Sequence, residues 1–136
     1  MITALRTAIY VVGASVSGST GGFYYADPPE DVSFPHTVYY LIDDIYSRQD
    51  TQIREDNIPI QFSLFDRRVL PNGNKISSVT LEKVAEELIT KFDATNLTIT
   101  GSTSVDLKRN YTRPAVVTDD GNYWQIIINY TLILNR

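Results

Sequence analysis

The chain has 136 residues, the size of one ordinary domain, and carries 12 Lys and Arg against 16 Asp and Glu for a formal net charge of −4. It contains no cysteine, which rules out thiolate zinc sites, dithiol redox motifs and cysteine nucleophiles. The acidic balance opposes tight, sequence-independent nucleic-acid binding, which draws its affinity from neutralised phosphates.

In chain order, Ile2, Leu5, Ile9, Val12 and Val16 recur at spacings of three and four, which predicts an amphipathic helix over residues 3–16. The same stretch, with Arg6 before the apolar residues 8–14 and small residues after, loosely resembles a signal peptide. The regular periodicity and the shortness of the apolar patch favour the helix. No run approaches the roughly 20 apolar residues that span a bilayer, so no membrane partner is expected. The glycine-rich stretch 17–22 should close the helix and turn the chain.

Residues 23–26 read as a short strand, stopped by Asp27-Pro-Pro-Glu-Asp31. Phe34-Pro-His-Thr-Val-Tyr-Tyr-Leu-Ile42 is a second strand, with Val38, Tyr40 and Ile42 on one side and Tyr39 and Leu41 on the other. A charged connection, 43–56, precedes a third strand over 58–65; Pro59, having no amide proton, is expected at a strand start or on an unpaired edge. Pro71-Asn-Gly-Asn74 marks a turn in the loop 67–77.

Ser77 or Ser78 can cap a second helix whose buried stripe is Leu81, Val84, Ala85, Leu88, Ile89 and Phe92, with Glu82, Lys83, Glu86, Glu87 and Lys91 toward water. A fourth strand should start over 97–100, bend at Gly101 and resume over 103–109. Asp119-Asp-Gly-Asn122 is a hairpin turn into the last strand. In that strand Trp124, Ile126, Ile128, Tyr130, Leu132 and Leu134 share an apolar face, and Tyr123, Gln125, Ile127, Asn129, Thr131 and Ile133 a mixed one. The expectation is one α+β domain over 1–136, order α-β-β-β-α-β-β, a largely antiparallel sheet with both helices packed on one face.

No arrangement announces catalysis. His36 is the only histidine, without ligand spacing nearby, and reads as a partly exposed strand residue. The pairs Asp43-Asp44 and Glu55-Asp56 are adjacent in sequence, so on a strand they diverge, and solvated charge is the default over a glycosidase-like pair. No phosphate loop and no nucleophile elbow is present. Metal ligands, cofactors and an enzymatic activity are therefore not expected. Basic residues gather at Arg67-Arg68 and at Lys108-Arg109 with Arg113 and Tyr111; pairing with acidic segments, within the chain or on a neighbour, is favoured over nucleic acid. Sequons at Asn96, Asn110 and Asn129 read as accidental. Most of the nine tyrosines, five phenylalanines and one tryptophan should be core, but the mixed face of the last strand, with Tyr39 and Leu41, leaves apolar area that two helices on one side do not cover. Half-buried aromatic groups and strand edges are common at protein–protein contacts.

The strands Phe34-Pro-His-Thr-Val-Tyr-Tyr-Leu-Ile-Asp and Ile60-Gln-Phe-Ser-Leu-Phe, the helix 81–92, Asn96-Leu-Thr-Ile-Thr-Gly-Ser-Thr and Asp120-Gly-Asn-Tyr-Trp-Gln-Ile-Ile-Ile-Asn-Tyr-Thr-Leu resemble those of bacteriophage tail terminator (tail completion) proteins. The resemblance implies a subunit that closes as a ring, usually of six, on the head-proximal end of the tail tube. Such a ring stops tube growth and offers a surface to the filled head. Its partners would be sister copies, the tail tube protein and a head-completion or connector protein, with DNA passing the lumen unbound and assembly in the host cytoplasm. On this reading the subunit or tail interface involves Asp43, Asp44, Arg48, Arg54, Glu55 and Asp56 of the charged arm, with Arg67 and Arg68, while the loop 67–77 meets the tube or the head. The rivals are a non-enzymatic binding module that takes a peptide or small ligand on an aromatic sheet face, and another head–tail or minor tail structural protein, since related folds also serve those roles.

Overall fold

The computed structural model describes residues 2–42, 55–94, 97, 99 and 104–135. Its elements are α1 (Ile2–Gly13), β1 (Phe23–Tyr25), β2 (His36–Leu41), β3 (Glu55–Arg67), α2 (Val79–Ala94), β4 (Ser104–Val117) and β5 (Tyr123–Asn135). This is the expected order. The strands form one sheet in the order β1-β2-β3-β5-β4. Every pairing is antiparallel except β1 with β2. A parallel pair needs a return connection, and residues 26–35 provide it, bringing the chain from the end of β1 back to the start of β2.

The terminal strand is central, as its two-sided pattern requires. β5 pairs with β3 without interruption from Glu55↔Asn135 to Arg67↔Tyr123, and with β4 on its other side. Ile126, Ile128, Tyr130, Leu132 and Leu134 are buried, whereas Gln125, Ile127, Thr131 and Ile133 are half-buried. Opposite them on β3, Ile58, Ile60, Phe62 and Leu64 complete the covered face. Both helices roof this face: Leu5 and Ile9 from α1 and Leu81, Val84, Ala85, Leu88 and Phe92 from α2 share one core with the strands. Phe62 sits at its centre, with Phe92 at 4.8 Å, Tyr130 at 5.8 Å and Phe23 at 6.1 Å between ring centroids.

Several local expectations need correction. α1 ends at Gly13 rather than Val16; a β-carbon at Gly13 would collide with the Phe23 ring, so the helix and β1 meet closely there. Tyr39 and Leu41 face the core rather than leaving it uncovered: Tyr39 stacks on Phe23 at 4.9 Å and its hydroxyl donates to the Arg6 carbonyl. Val38 and Tyr40 take the opposite face. Pro59 is neither at a strand start nor on an edge strand, for it lies inside β3 opposite Thr131. Its carbonyl accepts from the Ile42 amide, one step beyond the last β2 pair, Leu41↔Ile60. In an antiparallel ladder a residue's two backbone groups point to the same neighbour. The missing donor therefore faces the end of β2 and leaves the β5 ladder intact. Leu97 and Ile99 are buried core residues, but β4 begins only at Ser104; the Gly101 bend lies outside the described residues. Within β4 the register shifts come between Arg109 and Tyr111 and between Arg113 and Val116.

Glu87, expected to face water, receives the backbone amides of Ser17 and Gly18, each at 2.9 Å. It thus ties the turn after α1 to the middle of α2. The Gly18 amide first, then Ser17, holds its carboxyl below the usual range. The Ser78 side chain does not accept a helix amide as expected: its hydroxyl donates to the Glu82 carboxylate at 3.0 Å, and the Glu82 amide is taken by the Ser78 carbonyl at 2.9 Å.

Phe62→Ala removes the ring on which both helices and β1 converge. It should cost roughly 3–5 kcal/mol, read as a lower urea midpoint with an unchanged m-value; a loss below about 1 kcal/mol would mean that the two helices do not share one core.

Candidate assembly interface

Among the described residues, no helix covers the second face of the sheet. Its end near the β2 start is closed by an aromatic cluster built from the 26–35 return: Phe34 stacks on Tyr123 at 5.2 Å and lies 4.9 Å from His36, which stacks on Phe65 at 5.4 Å. His36 is buried, not partly exposed. Desolvation lowers its pKa, partly offset by the Ser33 carbonyl 3.2 Å from Nδ1. The ring is packing, and among the described residues no group of three or more histidines, cysteines or carboxylates assembles to hold a metal.

Arg67 and Arg68 are engaged inside the chain. The Arg67 guanidinium lies 5.1 Å from the Phe34 ring centroid. Arg68 donates to the Gly121 carbonyl at 2.8 Å and lies over Trp124, whose indole N–H donates to the Ile76 carbonyl at 2.9 Å. These bonds lock the loop 68–78 to the β4–β5 hairpin, where Gly121 takes φ +76° and Asp120 accepts from Thr118 and Asn122. Glu55 and Asp56 open β3 opposite Asn135 and Leu134. Asp43, Asp44, Arg48 and Arg54 lie outside the described residues.

Three features that the candidate residues missed are prominent. The first is β4 itself, an edge strand. Residues 108–114 are exposed, with Tyr111 at 53%. It carries Lys108, Arg109 and Arg113, and of these Arg109 reaches Asp93 at 3.7 Å. Asn110, in the first register shift, donates to Asn129 at 2.7 Å and to Thr131 at 2.8 Å. The second is the opposite edge. Beside β1, Arg6, Tyr10, Tyr25, Asp27 and Tyr39 line an open groove of about 590 Å³, in which Arg6 covers the Tyr25 ring at 3.9 Å. Next to it α1 exposes Tyr10 and Val11, 53% and 65% accessible. The third is Asp66, buried opposite Trp124 and accepting only the Arg67 amide at 2.8 Å among described partners. Burial pushes its carboxyl pKa up, against the opposing Arg67 amide and charge. The groove was hidden because it joins residues from α1 and β1 that periodicity treats separately. The basic run on β4 was visible, but not its edge position.

No protein-family model and no curated protein matches this sequence. Among solved structures, the fold is similar to a chain in the virion of a native gene transfer agent particle. The TM-score is 0.72 at 14% identity, over 99% of this chain and 97% of that one. The architecture is shared end to end.

Asp66 gives a pH signature. Its folded pKa is raised above the ordinary 3.8, so its stabilising share is present below that value and lost as pH rises through the raised one. Asp66→Asn keeps the acceptor for the Arg67 amide and removes the buried charge. At pH 7 it should raise Tm by roughly 3 °C, the shift that about 1 kcal/mol gives a domain near this size. The gain should vanish near pH 3.5, about where the free carboxyl is largely protonated; an equal gain at both pH values would contradict the assignment.

Proposed function

We propose that this chain is a structural subunit of a phage-like virion that closes as a ring, usually of six, on the head-proximal end of the tail tube. There it ends tube growth and presents the surface to which the filled head joins. The observation that carries this reading is the end-to-end likeness of fold to a chain from a gene transfer agent virion. The resemblance of the strand and helix motifs to tail terminators supports the finer role.

The physical logic is that of a closing contact. A sheet whose described helices lie on one face, with β1 and β4 as its unlike edge strands, offers two different surfaces, and a heterologous contact between them closes into a ring when its rotation does. The charged arm, with Asp43, Asp44, Arg48, Arg54, Glu55 and Asp56, is proposed to take part in contacts between copies or with the tube. Arg67 and Arg68 shape the adjoining loop 68–78 from within and so fix the surface it presents to tube or head. Partners on this reading are sister copies, the tail tube protein and a head-completion or connector protein. The net charge of −4 suits a lumen through which DNA slides without being held.

A rival reading, a module for a peptide or small ligand, draws on the aromatic groove beside β1. Arg6 already occupies the Tyr25 ring there, which leaves fewer aromatic faces for a ligand.

Particles assembled without this chain, imaged by negative-stain microscopy, decide between these. The expected result is tails of uncontrolled, greater length without heads, with normal length and joining restored when the purified chain is added back. Tails of normal length joined to heads in its absence would overturn the role.

A further inference from the structure

The two ends of the sheet carry opposite charge. β4 displays Lys108, Arg109 and Arg113 against the single acid Asp106, while the return that follows β1 displays exposed Asp27, Glu30 and Asp31. Among the described residues, none of these three carboxylates makes a hydrogen bond or ion pair. Taking the ring reading above as its basis, we infer that β4 of one copy docks on the β1 end of the next, its basic residues against the acidic 26–35 return.

The strand directions and register fit this junction. β1 runs parallel to β2, and β2–β3, β3–β5 and β5–β4 are each antiparallel. β4 therefore points opposite to β1. Rotation about an axis along the strands preserves direction, so β4 meets the neighbouring β1 in the antiparallel sense. Rotation also keeps every copy at one height, and rows that are level within a sheet stay level across the junction. Arg113 stands level with Ile127, Ser63, Val38 and Tyr24. Arg109 stands level with Tyr130, Ile60 and Leu41, one row past Tyr40 and two past the end of β1, and Lys108 lies one row further. β1 ends at Tyr25, two rows short of Arg109, and the chain turns at Ala26 (φ 65°) into the return that carries Asp27, Glu30 and Asp31 back toward His36. Tyr111, exposed and one row from the β1 end, lies level with Asn129, Gln61 and Tyr40 on the face opposite the helices, the face on which the 26–35 return packs.

The alternative self-contact is disfavoured. Two β4 edges meeting about a two-fold axis would bring Lys108, Arg109 and Arg113 against their own copies, which is repulsive across a strand pair. The two register shifts and Pro114 break the hydrogen-bonding edge, a device that blunts indiscriminate strand pairing. Selectivity at this junction then comes from the charges and from Tyr111, and only briefly from backbone pairing.

The absence of cysteine permits a clean test. The double variant Lys108→Cys with Asp27→Cys, assembled into particles and treated with a short bis-maleimide, should yield a ladder of covalent multimers on denaturing gels. Either single variant should yield none. In parallel, Lys108→Glu with Arg113→Glu should lose incorporation into particles, and mixing it with an Asp27→Lys, Glu30→Lys, Asp31→Lys chain should restore it. Particles that incorporate the double-cysteine chain normally yet show no ladder would overturn this junction and leave the structural role standing. A chain that never enters particles, wild type included, would overturn both.

Discussion

The ladder between β3 and β5 is the constraint from which the rest follows. Thirteen residue pairs join Glu55–Arg67 to Tyr123–Asn135 without a shift, and each step alternates sides. Ile58, Ile60, Phe62 and Leu64 therefore meet Leu132, Tyr130, Ile128 and Ile126 on one face, and Ser63 and Gln61 meet Ile127 and Asn129 on the other. A slip by one residue would exchange the two faces. With the register fixed, only one side is apolar enough to roof, and both helices go there. The other strands are added outward from this pair: β2 and β1 on one flank, β4 on the other.

This plan leaves a particular kind of surface. Two helices roof one face, the 26–35 return closes part of the other, and two strand edges remain at opposite ends. Polar links fix the joints between layers: Glu87 on the amides after α1, Tyr130 on Asp93 at 2.6 Å, and Trp124 on the Ile76 carbonyl. Desolvation, then the Asp93 contact, raises the Tyr130 pKa, so the phenol stays protonated and acts as a fixed donor. Such joints make a rigid block. A block with two unlike edges suits contact with neighbouring copies.

Much of this was legible in the sequence because it rests on periodicity. The β5 faces, the stripe of α2 and the apolar face of α1 all follow from spacing, and the hairpin at 119–122 from its turn residues. Other features were hidden for physical reasons. His36 reads as exposed because its cover, Phe34 and Tyr24, is assembled by a crossover that no local pattern reports. Pro59 reads as an edge marker because sequence does not tell which neighbour a backbone donor would face. Glu87 has the spacing of a solvated helix residue, and only the packing of α1 across α2 delivers the two amides it accepts. The charged arm was the natural candidate for contacts from composition. The edge position of β4 and the acidic return beside β1 emerge only from strand order.

The most direct measurement is hydrogen–deuterium exchange on the chain alone and in assembled particles. The account predicts that β5 amides are protected in both, while β4 and β1 edge amides exchange quickly in the isolated chain and become protected on assembly. Equal exchange of the β4 and β1 edges in the two states, with the chain demonstrably present in the particle, would contradict it.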